Sequence, residues 1–139
     1  SLNRLRPGAL EGRTLKDALE KMIREYQTLS NLQVDLHYEW VDVDMDVMIE
    51  DTIFRVIQES MTNAVRHGHA SRMILHFFED EEDYLIELQD NGVGFETLTY
   101  GYGLKQMMER ISILGGQLQF ESRDGFFTRV SLPKYKEGR

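Results

Sequence analysis

Glu59 and Asn63 set a carboxylate and a carboxamide four residues apart in a stretch of helical periodicity. That spacing is one helical turn, so their oxygens address the same small volume on one helix face. Mg2+ takes oxygen ligands, keeps several waters, and is commonly held by one or two protein groups together with substrate phosphates; an amide oxygen and a water-holding carboxylate suffice. Arg66 and His67 fall on the same side of the helical wheel, roughly opposite Ile53, Ile57, Met61 and Ala64. The competing reading is that the four polar residues are the solvated side of an ordinary amphipathic helix.

A second group runs from Asp90 to Leu104, DNGVGFETLTYGYGL, where a strand leads into an acid and two glycine pairs, Gly92 with Gly94 and Gly101 with Gly103. Glycine permits positive φ and close approach of another group to the backbone. Gly103 opens an amphipathic helix, where free amides and the helix dipole favour a phosphate or carboxylate. Asp90 is placed to accept a hydrogen bond from an exocyclic amine such as N6 of adenine, although Asp before Asn-Gly is also common turn chemistry. The two groups read as two halves of a nucleotide pocket.

The elements that must hold these groups are legible in the periodicity. Thr14 and Asp17 are spaced like a capping box ahead of Leu15, Ala18, Leu19, Met22, Ile23 and Tyr26, one apolar helical face. Residues 32 to 40 alternate as a strand with one buried side. Helical spacing returns from about Val47 to His67. Two β-like runs, 72–79 and 84–89, read as an antiparallel hairpin around an acidic, solvated turn. After Gly103, the stripe Leu104, Met107, Met108, Ile111 and Leu114 stops at Gly115 and Gly116. Runs 117–122 and 126–132 form a second hairpin around Asp124-Gly125, and the tail KYKEGR reads as loose.

Composition bounds what this architecture can do. At 139 residues, with 41% hydrophobic and 29% charged residues, the chain suits one domain with a single core. A formal charge of -8 gives a nucleic-acid surface little support. The absence of cysteine excludes disulfides, thiolate metal sites and cysteine nucleophiles. DVDMDV lacks the glycine and the bidentate Glu of a calcium loop, since Val47 and Ile53 stand at those positions. A Rossmann fingerprint fails at Thr97 and Gln106, and no GK[ST] is present for a Walker loop. His67 and His69 with His76 offer a metal cluster as an alternative, but no carboxylate or cysteine is spaced to complete it.

QESMTNAVRHG, DNGVGF and GYGL, in this order and with these separations, closely resemble the N box and the two glycine boxes of the ATP-binding domain of bacterial sensor histidine kinases. The wider superfamily includes gyrase, a mismatch-repair protein of the MutL type and a heat-shock chaperone. LRPGALEGRTLKDALEKMI, the ExxxN form of the first box and the short span between the glycine boxes are similar to the subfamily that signals to nitrate-type, helix-turn-helix response regulators. The resemblance covers Leu5 to Pro133.

The resemblance implies a two-layer α/β sandwich of the Bergerat type, a mixed, mostly antiparallel sheet packed under about three helices, with nucleotide held between the helix layer and a lid. It implies ATP and Mg2+ as ligands, with Asn63 on the metal and Glu59 orienting a metal-bound water or assisting deprotonation. Arg66 and His67 would face the phosphates. Asp90 would read the adenine amine, supported through water by Thr128, with Gly92 and Gly94 giving the base and lid room. Gly101, Gly103 and Leu104 would shape the phosphate end, with Lys105 either helping there or solvated. The sequence departs from the family at Phe127, where glycine is usual, and at Gly68, where alanine is usual.

The implied activity is transfer of the γ-phosphoryl group of ATP to a histidine on an upstream dimerisation segment, and from there to a helix-turn-helix response regulator. On this reading residues 1–139 are a single catalytic domain that follows that segment, is monomeric alone and does not phosphorylate itself. The parent kinase is a homodimer anchored in the bacterial membrane, with this domain in the cytoplasm. An anti-sigma-factor serine kinase of the same superfamily and a nucleotide-sensing interaction module without phosphoryl transfer are the alternatives.

Overall fold

Among the described residues eight elements follow in the expected order: α1 (Leu15–Leu29), β1 (Gln33–Tyr38), α2 (Val47–Arg66), β2 (Arg72–Glu79), β3 (Asp83–Asp90), α3 (Tyr102–Ile113), β4 (Gln117–Ser122) and β5 (Phe126–Pro133). The computed structural model describes residues 10–41, 44–95 and 102–134. The span between the glycine boxes, including Gly101, the LRPGA start and the end of the tail lie outside the described residues. Among those described, no helix is long and apolar enough to cross a membrane.

Local chemistry sets the boundaries. Thr14 Oγ1 accepts from Asp17 N at 3.1 Å to start α1, and Asp46 Oδ1 accepts from Met48 N at 2.8 Å to start α2. α2 stops one residue before the expected His67, which caps it by donating its backbone N–H to Asn63 O. β1 is shorter than its alternating run because Leu32 and Trp40, though buried, lie beyond the ladder. Asp80 Oδ1 accepts from Glu82 N and Asp83 N in the β2–β3 turn. These backbone donors, Asp83 before Glu82, hold its carboxyl below the ordinary range. Gly115 at φ +79 ends α3, and Asp124 and Gly125 at φ +49 and +133 turn β4 into β5.

The five strands run in the order β1-β2-β3-β5-β4, with β1 parallel to β2 and every other pair antiparallel. The three helices cover one face, and inward residues of the sheet such as Leu75, Phe77, Ile86, Leu88 and Val130 join Leu19, Ile53, Ile57, Met61 and Ile111 in one core. The opposite face carries cross-strand charge pairs, Arg72 with Asp35 and Arg129 with Glu87. Phe127 belongs to that outer face: it pairs with Gln89 in the ladder, and the Arg123 guanidinium lies 4.0 Å from its ring centre. A large residue at this position therefore leaves the start of β5 regular.

Candidate functional site

A cavity of about 440 Å3 opens between α2, α3 and the strand ends, and Glu59, Asn63, His67, Asp90, Gly94, Gly103, Leu104 and Thr128 all line it. One end is built by α2. Glu59 and Asn63 are half-buried there, and neither side chain makes a hydrogen bond or ion pair within the described residues. α3 meets them with its first turn: a Cβ on Gly103 would overlap Glu59 Oε1, so the missing side chain is what lets the two helices close at this point.

The other end is built around Asp90, 6% exposed and the last residue of β3. Its Oδ1 accepts from Gly92 N at 2.8 Å and Phe126 N at 3.0 Å. Oδ2 accepts no bond from the described residues, and since no fully buried polar side-chain atom among them lacks a partner, Oδ2 is open to the cavity. That oxygen is free to receive a donor from a ligand in the cavity. Thr128, 2% exposed, stands beside it on β5.

Three of the sequence-derived candidates fall outside this lining. Gly92 does not line the cavity; a Cβ there would come within 2.9 Å of Gly68 Cα, and Val93 N donates to Gly68 O at 3.0 Å. The missing side chain of Gly92 is what lets the loop after β3 cross the loop after α2, whereas a Cβ on Gly68 would face the Ala64 carbonyl oxygen at 3.0 Å. Arg66 and Lys105 are exposed and outside the lining, and Gly101 is outside the described residues. The alternative histidine cluster is not assembled: His76 pairs with Glu39 and stacks on Phe78 on the sheet's outer face, whereas His67 lines the cavity on the other side. No group of three metal-binding side chains occurs among the described residues.

The cavity also recruits residues that periodicity assigns only to strands and loops. Phe95, Phe120 and Phe126 line its base end. Phe120 and Phe126 share the hairpin expected over 117–132, whereas Phe95 joins them only through the fold, its N–H donating to Ser122 Oγ.

A family model described as histidine kinase-, DNA gyrase B-, and HSP90-like ATPase matches residues 48–136. The signal transduction histidine-protein kinase/phosphatase UhpB of Salmonella typhimurium is 35% identical over 138 residues, 96% of this chain and 27% of that protein. The sensor histidine kinase LiaS of Bacillus subtilis is 31% identical over 131 residues, 92% of this chain and 36% of that protein. The chain thus spans about a quarter to a third of the length of these relatives. In fold it is similar to the Acinetobacter baumannii histidine kinase AdeS, with a TM-score of 0.75 at 20% identity, covering 87% of this chain and 65% of that one.

Proposed function

This chain belongs to the histidine kinase-, DNA gyrase B- and HSP90-like ATPase family, and on that premise we propose that it is the ATP- and Mg2+-binding catalytic unit of a two-component sensor histidine kinase. The carrying observation is a cavity with two unlike ends, an available carboxylate oxygen of Asp90 at one and, at the other, Glu59 and Asn63, which have no partner among the described residues. Asp90 reads the adenine amine, with Thr128 beside it. Gly103 and Leu104 shape the triphosphate end next to His67. Arg66 and Lys105 reach the phosphates by their long stems from the rim.

The donor set fits a hard cation. Asn63 would hold Mg2+ directly through its carboxamide oxygen, and Glu59 would do so through a water. Bound there, Mg2+ supplies neutralisation of the triphosphate charge. The residues contribute positioning: Glu59 accepts a proton from, or orients, the incoming imidazole, and the cavity fixes the γ-phosphoryl group for in-line attack by a histidine nitrogen. That bond forms as the bond to ADP breaks. The acceptor histidine lies on an upstream dimerisation segment of a membrane-anchored homodimer. The phosphoryl group then passes to a helix-turn-helix response regulator.

Thermal unfolding with ATP and Mg2+, with GTP as comparator, tests this on wild type and Asp90→Asn. The asparagine keeps an oxygen for Gly92 N and Phe126 N while replacing the adenine acceptor with a donor. Wild type is expected to gain about 2.7 kcal/mol at a hundredfold excess of ATP over its dissociation constant, and the variant to lose this adenine-selective gain. A wild-type protein unmoved by millimolar ATP refutes the reading.

A further inference from the structure

Three aromatic rings from three separate segments converge at the end of the cavity that holds Asp90. Phe126 opens β5, Phe120 lies on β4, and Phe95 follows the first glycine pair. The Phe126 ring centre is 5.1 Å from Phe95 and 5.5 Å from Phe120, at interplanar angles of 58° and 70°. Both neighbours therefore meet Phe126 obliquely or edge-on, and neither stacks face to face on it. All three rings are only half-buried and line the cavity, to which Met73, Leu88 and Met107 add further apolar surface.

The rings are held in place by backbone bonds. Phe126 N donates to Asp90 Oδ1 at 3.0 Å, so the residue that carries the ring also fixes the carboxylate. A Cβ on Gly125 would overlap the Asp90 carbonyl oxygen, so the β4–β5 turn is tucked directly against Asp90. Phe95 N donates to Ser122 Oγ at 3.1 Å, tying the third ring to the end of β4.

We propose that Phe126, flanked obliquely by Phe95 and edge-on by Phe120, is a stacking wall that binds the flat face of the nucleobase while Asp90 reads its edge. This rests on the nucleotide reading above and adds to it a specific division of labour. A planar heteroaromatic base gains from an aromatic face regardless of which base it is, because every base has a π surface. An edge carboxylate gains only from a base that presents a donor there. The wall thus sets affinity for the base, and the carboxylate sets its identity.

Isothermal titration of the 139-residue chain with ATP and with ADP, each with Mg2+, tests the wall in wild type, Phe126→Ala, Phe126→Leu and Phe126→Tyr. Alanine and leucine are each expected to raise the dissociation constants of ATP and ADP by the same factor, about tenfold, within the range of base–aromatic stacking. Tyrosine, which restores the ring face, is expected to bind close to wild type. Leucine binding as tightly as wild type overturns the proposal, because apolar filling would then suffice. A change in the ratio of ATP to ADP affinity also overturns it, because the residue would then act on the phosphate end. Should alanine unfold the chain, the leucine and tyrosine variants still decide. Wild type binding neither nucleotide is a different result, which removes the nucleotide reading itself.

Discussion

Asn63 and Glu59 are bonded to no described side chain, whereas Asp90 holds two backbone N–H groups through Oδ1. The consequence is a difference in what substitution costs. Asp90→Ala would strand two donors at a buried site, at about 1–3 kcal/mol each, so loss of binding in that variant would be confounded with loss of fold. Asn63→Ala and Glu59→Gln carry no such penalty. With an acceptor-bearing segment supplied in trans, Glu59→Gln is expected to keep ATP affinity and lose about 10²-fold or more in transfer rate, the range for a general base. Asn63→Ala is expected to weaken only the Mg2+-dependent part of ATP binding, seen as a flattened metal titration at unchanged unfolding temperature. The residue types and spacing that make these positions candidates are visible in the sequence. The second role of Asp90 is not, because one of its donors, Phe126, is 36 residues away.

At the scale of elements, α2 and α3 meet in the site where a Cβ on Gly103 would overlap Glu59 Oε1. Read in sequence, Gly103 belongs to a phosphate-binding helix start; in the fold it also makes room for a carboxylate. Gly103→Ala is expected to push Glu59 out of position while sparing the fold, since the obstructing atom is the end of a flexible side chain and alanine favours helix. Its transfer rate should fall with ATP affinity largely retained. The double variant Gly103→Ala/Glu59→Gln should be no slower than Glu59→Gln alone, because both changes remove one function. Additive losses in that cycle would mean that Gly103 acts on the phosphates instead. Gly92 shows the same principle, its missing side chain letting the loop after β3 lie against the Gly68 backbone.

Over the described residues as a whole, three helices cover one face of the sheet, and the other carries charge pairs. Tyr38, on β1 near the start of α2, shows how this packing reaches stability. Burial, and then the Glu50 carboxylate, push its hydroxyl up to about 12. Its ordinary value is about 10, so between those values the unfolded chain releases the proton while the folded chain keeps it. The stabilisation is complete below about pH 10 and lost as pH rises towards 12. Denaturant titrations across that window should show a shallower fall in stability for Tyr38→Phe than for wild type; equal slopes would contradict the shift. The sequence by itself determined the elements, the one-sided burial of each and the two polar groups of the pocket, because periodicity, caps and glycine turns act over a few residues. Only the tertiary structure decided which candidates share the cavity, that Gly92 belongs to a loop crossing, that Phe127 faces outward, and that three distant phenylalanines meet beside Asp90. Those outcomes depend on strand order and register, which bring residues into contact that no local pattern relates.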